Sequence, residues 1–219
     1  MGQRDSRNAD RGATLPYFFR RRTGAQVDAF VQVFAGFEEG RELVQSVTVT
    51  TPRDHAVIVE INHAGGRDIV LFGDGSRLEL TSVPVVSDGI LAVVAGLPAP
   101  GQAPTTTQPT ALLLGGAELQ APGVTLSNSR ADWSGTIAAQ VSQDGDSWFE
   151  LAGATLPTPE QFRGQALIVT GDDAISRAYP VLRAESTGQG ALKVYTRLSY
   201  QGFQARPATT WRLYALAVK

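Results

Sequence analysis

From position 43 to 50 the chain reads LVQSVTVT, with Leu43, Gln45, Val47 and Val49 alternating with Val44, Ser46, Thr48 and Thr50. A period of two is the spacing of a β-strand covered on one face; a helix would scatter these residues around its axis. The same grammar recurs. Residues 27–34 (VDAFVQVF) set Val27, Ala29, Val31 and Val33 against Phe30 and Phe34. Residues 56–61 (AVIVEI) and 68–72 (DIVLF) flank a glycine-bearing stretch, 62–67, that predicts a hairpin loop, and Gly73-Asp74-Gly75-Ser76 predicts another turn. Further strands are expected at 17–22, 77–80, 111–114, 123–126, 133–141, 165–170, 177–183, 192–198 and 211–218. Asp144-Gly145 between apolar runs is a strong hairpin signal. After Pro157, residues 158–162 suit one helical turn. Turn signals spaced about 8–12 residues apart are what a sandwich or barrel produces. The expected fold is all-β: antiparallel β-sandwich, as one large domain or as two packed β subdomains.

Residues 98–110 divide the chain. Pro98, Pro100, Pro104 and Pro109, with three consecutive threonines, bar both a helix and a central strand. This stretch is expected as an interdomain linker or a long surface loop. The organisation is then a polar, flexible N-terminal tail (1–14), a β-sandwich portion (15–97), the Pro/Thr-rich stretch (98–110) and a second β-rich portion (111–219). A chain of 219 residues buries roughly 70% of its unfolded surface. It needs no covalent staple, and it has no cysteine to make one. The absence of cysteine also excludes a cysteine nucleophile and thiolate metal sites. A net charge of −2 gives no overall basic excess for nucleic acid or a membrane surface. Residues 1–12 (MGQRDSRNADRG) hold no apolar core of the kind a signal peptide uses, and no apolar run approaches the roughly 20 residues that span a bilayer. A soluble chain is expected.

Catalytic chemistry has little to stand on. The two histidines, His55 and His63, fall in expected loops, and no Gly-x-Ser-x-Gly elbow accompanies them. A metal site from Asp54, His63 and Asp68 has weak ligand spacing. Asp144-Gly145-Asp146 lacks the further oxygen ligands and closing glutamate of a calcium loop, and reads as a turn, as does Asp172-Asp173. No phosphate-binding glycine loop is present. No catalytic residue, metal or cofactor is expected. Binding has better candidates. Arg20 and Arg22, alternating along a strand, share one face, and their guanidinium forks suit carboxylate or sulfate groups; equally, they protect an edge strand. An aromatic ring stacks on the apolar face of a pyranose, which singles out Trp148 and the turn residues Tyr200 and Phe203, although aromatics at strand spacing also build cores.

Several segments resemble the C-terminal β-rich region of heparinase II/III-like polysaccharide lyases. The run Leu15-Pro16-Tyr17-Phe18-Phe19-Arg20-Arg21-Arg22-Thr23-Gly24 is similar to that family's Pro-aromatic-apolar-Arg-Arg-Thr-Gly segment. Residues 30–39, then Val44-Gln45-Ser46-Val47, and the run 63–72 (HAGGRDIVLF), follow its later strands. Residues 167–173 (LIVTGDD), Arg177-Ala178-Tyr179-Pro180-Val181 and the Gly202-Phe203 turn look like its last ones. Enzymes of this family join an α/α toroid to β-sandwich domains and abstract the proton α to a uronate carboxylate. No toroid-like helices occur here, and none of the family's catalytic tyrosines or histidines maps onto this chain. The resemblance implies a detached, non-catalytic accessory portion. Its parent would act on acidic polysaccharide in the periplasm or outside the cell, and its partners would be the missing toroid and the glycan. A stand-alone carbohydrate-binding or adhesion module is the alternative, and an independent small enzyme is a third.

Overall fold

The computed structural model describes residues 2–5, 14–17, 44–99, 101–102, 108–141, 147–187, 190–196 and 208–219. The chain divides into two units, Met1–Phe34 and Ala35–Lys219. In the first, β1 (Gly2–Asp5) pairs antiparallel with β2 (Thr14–Tyr17), Gly2 opposite Tyr17. A strand therefore lies within the segment expected as a polar tail.

The second unit opens with a meander of β3 (Val44–Arg53), β4 (Ala56–His63) and β5 (Gly66–Phe72). The expected hairpin after residue 61 closes between His63 and Gly66. Gly66 has φ +142°, and a Cβ there would sit 2.4 Å from the Leu97 carbonyl oxygen, so only glycine lets these strands approach. From the meander the chain moves to another layer through β6 (Leu78–Leu80) and β7 (Val85–Ser87). It returns through β8 (Leu91–Leu97) and β9 (Thr110–Leu114), then rejoins the second layer as β10 (Glu118–Ala121) and β11 (Val124–Ser127). A six-stranded sheet, ordered β18-β9-β8-β5-β4-β3, thus faces a four-stranded one, ordered β11-β10-β7-β6. Here β18 is the C-terminal strand Leu216–Val218. Ile58, Ile69, Leu71, Val94 and Leu113 of the first sheet and Leu78, Val85, Leu119 and Leu126 of the second make one buried core. Each such side chain stabilises the fold by about 1.5–3 kcal/mol through burial.

The stretch 98–110 joins β8 to β9, which are hydrogen-bonded neighbours. It connects strands of one sheet, and β9, β10, β11 and β18 belong with the sandwich although the sequence reading grouped them with the second portion. Proline-rich composition marks a loop; it carries no information on whether the strands at its two ends pair.

Residues 132–214 form a separate core. β12 (Asp132–Val141), β13 (Ser147–Ala152), β14 (Ala166–Gly171), β15 (Ser176–Ser186), β16 (Leu192–Thr196) and β17 (Ala208–Tyr214) close into a barrel, in the order β12-β13-β16-β15-β14-β17. The turn expected after Pro157 is a short 3-10 helix, Pro159–Phe162, whose Phe162 is buried. Closure leaves the barrel no free edge. Its interior holds Phe149, Leu151, Leu167, Val169, Val194, Trp211 and Leu213. Antiparallel all-β structure is what the chain has. One half is a sandwich and the other a barrel, a distinction that strand spacing does not make. No helix of the described residues is long and apolar enough to cross a membrane.

Candidate functional site

Alternation in β13 buries Ser147, Phe149 and Leu151 and turns Trp148 and Glu150 to the outer wall of the barrel, half-buried. Trp148 stands opposite Tyr195 of β16, and Tyr195 stands opposite Arg183 of β15. Both rings are capped by cations. Lys193 Nζ lies 3.9 Å from the Trp148 ring centroid, and Arg183 Cζ lies 3.5 Å from that of Tyr195. Such contacts contribute roughly 0.5–1 kcal/mol each at exposed sites. Arg183 also pairs with Glu185, and Glu150 and Glu185 flank Lys193 on the neighbouring strands. The strip therefore combines two aromatic faces with balanced charge.

A bulge in β15 keeps this strip in register. Between Val181 and Arg183 the register shifts by one, and Leu182 is the extra residue, 63% exposed. Val181 and Ala184 both pack on the barrel core. Strict alternation through Leu182 would have turned Arg183 inward and Ala184 out; bulging Leu182 out of the ladder keeps Arg183 on the wall and Ala184 on the core. Trp148 was among the sugar-binding candidates, whereas Tyr195, Lys193 and Arg183 were not. Their alternation was legible, but the register that brings three strands together is a long-range property. Arg20, Arg22, Tyr200 and Phe203 lie outside the described residues.

The outer face of the six-stranded sheet is of another kind. The ladder register lines up Val57, Phe72, Leu91, Leu114 and Leu216 in one row across five strands. A second row, Val49, Val59, Val70, Val93, Leu112 and Val218, crosses all six. Neither row contains a polar residue, and neither core cluster includes any of these side chains. Val57 and Val59 are buried, but Val49, Phe72 and Val218 are 48%, 47% and 65% exposed. A sheet with one solvated face normally alternates apolar with polar; apolar on both faces is the pattern of a sheet covered on both.

The residues considered for catalysis do not assemble. His55 occupies the β3–β4 turn with φ +61°. His63 Nδ1 accepts the Gly65 N–H at 3.1 Å, and Nε2 lies 3.2 Å from Asp68 Oδ1, which itself accepts the Gly96 N–H. Asp54 precedes β4 whereas His63 ends it, so the three do not converge. No group of three or more histidine, aspartate or glutamate residues suited to a metal ion occurs among the described residues. Asp173 is a turn carboxylate, accepting the Ile175 N–H and pairing with Arg177. Burial pushes the Tyr179 phenol above its usual range, partly offset by the charge of Arg177; it is a core residue whose ring centroid lies 5.4 Å from that of Phe149.

No family model matches the chain, and no curated protein and no solved structure matches it.

Proposed function

We propose that this chain is the non-catalytic accessory β portion of a heparinase II/III-like polysaccharide lyase, whose catalytic α/α toroid docks on it and acts on acidic, uronate-containing polysaccharide. The observation that carries the reading is the pair of apolar rows on the outer face of the six-stranded sheet. The exposed members of these rows, Val49, Phe72, Leu216 and Val218, favour coverage by another protein surface. The parent would work in the periplasm or outside the cell.

The test is sedimentation velocity at high micromolar concentration, combined with binding of a dye that lights up on apolar surface. The wild-type chain should self-associate and bind the dye. The double variant Phe72→Glu, Val218→Glu should keep its far-ultraviolet spectrum while losing both properties. A wild-type chain that stays monomeric and binds no dye sinks the reading.

A stand-alone carbohydrate-binding module is the second reading, favoured by the Trp148–Tyr195 strip. Titration against acidic and neutral polysaccharides, with absorbance of unsaturated uronate ends followed in the same samples, separates the two. This reading expects binding without new absorbance, weakened by Trp148→Ala in a folded protein. Absence of binding at millimolar saccharide rules it out. New absorbance would overturn the non-catalytic assignment itself.

A further inference from the structure

The chain crosses between sandwich and barrel twice, through residues 128–131 and again at Ala215. The crossings are tied together: the Ala215 N–H donates to the Ala131 carbonyl at 2.8 Å, and the Gly115 N–H to the Ala215 carbonyl at 2.9 Å. Against this neck lies a notch of about 110 Å³, bordered by Ser129, Arg130, Trp133, Gln161 and Gln165. Its position between two lobes held by backbone hydrogen bonds gives it a preformed shape.

Arg130 decides its chemistry. The residue is half-buried, and its guanidinium carbon lies 5.4 Å from the centroid of the buried Trp133 ring. Arg53, Arg67, Arg177, Arg183 and Arg212 each have an acidic partner. Arg130 has none among the described residues, and Arg77 and Arg163, which share that condition, are exposed. A partly desolvated guanidinium with its fork unengaged is costly unless something accepts from it. Its neighbours also offer donors. Gln161 Oε1 is committed to the Thr158 N–H at 2.8 Å, which leaves the Gln161 amide NH2 for another partner, and Ser129 adds a hydroxyl. Guanidinium, amide and hydroxyl together suit a ligand group that accepts.

We propose that this notch binds a carboxylate group. The guanidinium fork matches a carboxylate's two oxygens in a plane, with the Gln161 amide and the Ser129 hydroxyl completing the set. The volume admits a carboxylate and the carbon that bears it, while the rest of the ligand stays outside. An acidic sugar and an acidic side chain both carry that group.

The experiment is a titration of the isotope-labelled chain, followed by the nitrogen–proton resonances of the Trp133 indole and the Gln161 side-chain amide. The probes are sodium acetate, sodium glucuronate and N-acetylglutamate amide, with glucose and sodium chloride at matched ionic strength as controls. Carboxylates should produce saturable shifts at these resonances, and the controls should not. Arg130→Lys keeps the charge but not the fork and should weaken binding about tenfold. Arg130→Gln should abolish it, with distant resonances reporting that both variants remain folded. Tighter binding of glucuronate would identify an acidic sugar as the source, and tighter binding of the glutamate derivative an acidic side chain. Shifts that never saturate, that glucose reproduces, or that survive unchanged in Arg130→Lys overturn the site. Its failure would leave the docking reading of the sheet face intact, because the two rest on different residues.

Discussion

Arg67 Nη1 lies 3.4 Å from Glu60 Oε2 across the β4–β5 ladder, with both side chains nearly out of water. Arg67 Nε also donates to Asn62 Oδ1, and the Ser82 hydroxyl donates to Glu60 Oε2, so the pair is hydrogen-bonded on both sides. Removing one member of such a pair strands the other charge. Glu60→Ala should therefore destabilise the chain by about 3 kcal/mol, whereas exchanging both residues for methionine should cost far less. Urea unfolding of the single and double variants checks this. A double variant as unstable as Glu60→Ala would mean that the network, rather than the stranded arginine, carries the effect.

In the barrel, Gly135 has no room for a side chain. A Cβ there would come within 2.0 Å of the Ala152 carbonyl oxygen and 2.8 Å of Trp211 Nε1. The Trp211 indole N–H donates to that same carbonyl at 3.0 Å while its ring fills the core. Gly135→Ala must push the strands apart or break this bond, at a cost of roughly 2–4 kcal/mol. The near-ultraviolet circular dichroism of Trp211 should fall with it. A variant as stable as the wild type would show that β12 shifts freely.

Local pattern made much of this fold legible, and long-range register hid the rest. The alternation around Val47 and Val49, the turn at residues 62–67 and the single helical turn after Pro157 follow from side-chain spacing and backbone chemistry within a few residues. Closure of β12 onto β17 does not, because nothing near Trp133 indicates that its strand will pair with one about 80 residues away. The apolar rows show the same limit. Val57, Val70, Leu91 and Leu112 each sit in a short apolar strand, and only the ladder register shows that their outward halves line up across the sheet. Trp148 was visible as an aromatic just after the Asp144-Gly145 hairpin signal. Its partners Tyr195, Lys193 and Arg183 needed the barrel.

Asp74 gives an acid-side prediction. The Ser76 N–H holds its carboxyl below the ordinary value of 3.8, with help from the Ser76 hydroxyl and the Arg53 guanidinium 3.2 Å away. A carboxyl depressed in the folded state contributes stability above its unfolded value and loses that contribution as pH falls through its folded one. Asp74→Asn should thus be slightly less stable than the wild type at neutral pH, and the gap should close below about pH 4. Thermal melts of the two proteins across pH 2–7 read this directly. A gap that widens toward acid would reverse the sign and exclude the Ser76 contact as its cause.

Leu182 tests whether the bulge is needed once the strip exists. Val181 pairs with Thr196 and Arg183 with Tyr195, consecutive partners on β16, so Leu182 has no partner in that ladder. On the other side, pairing of β15 with β14 ends at Pro180, before the bulge. Deleting Leu182 therefore leaves every rung in place: Val181 and Ala184 still face the core and Arg183 still lies against Tyr195. The deletion should lower the melting temperature by no more than a few degrees, roughly 1 kcal/mol for a chain of this size. It also removes an exposed leucine. Deleting Ala178 instead shifts Tyr179 off its inward position beside Phe149 and should unfold the barrel. Equal damage from the two deletions would mean that the bend imposed by the bulge, and not the facing of Arg183 and Ala184, is what closes β15 onto its neighbours.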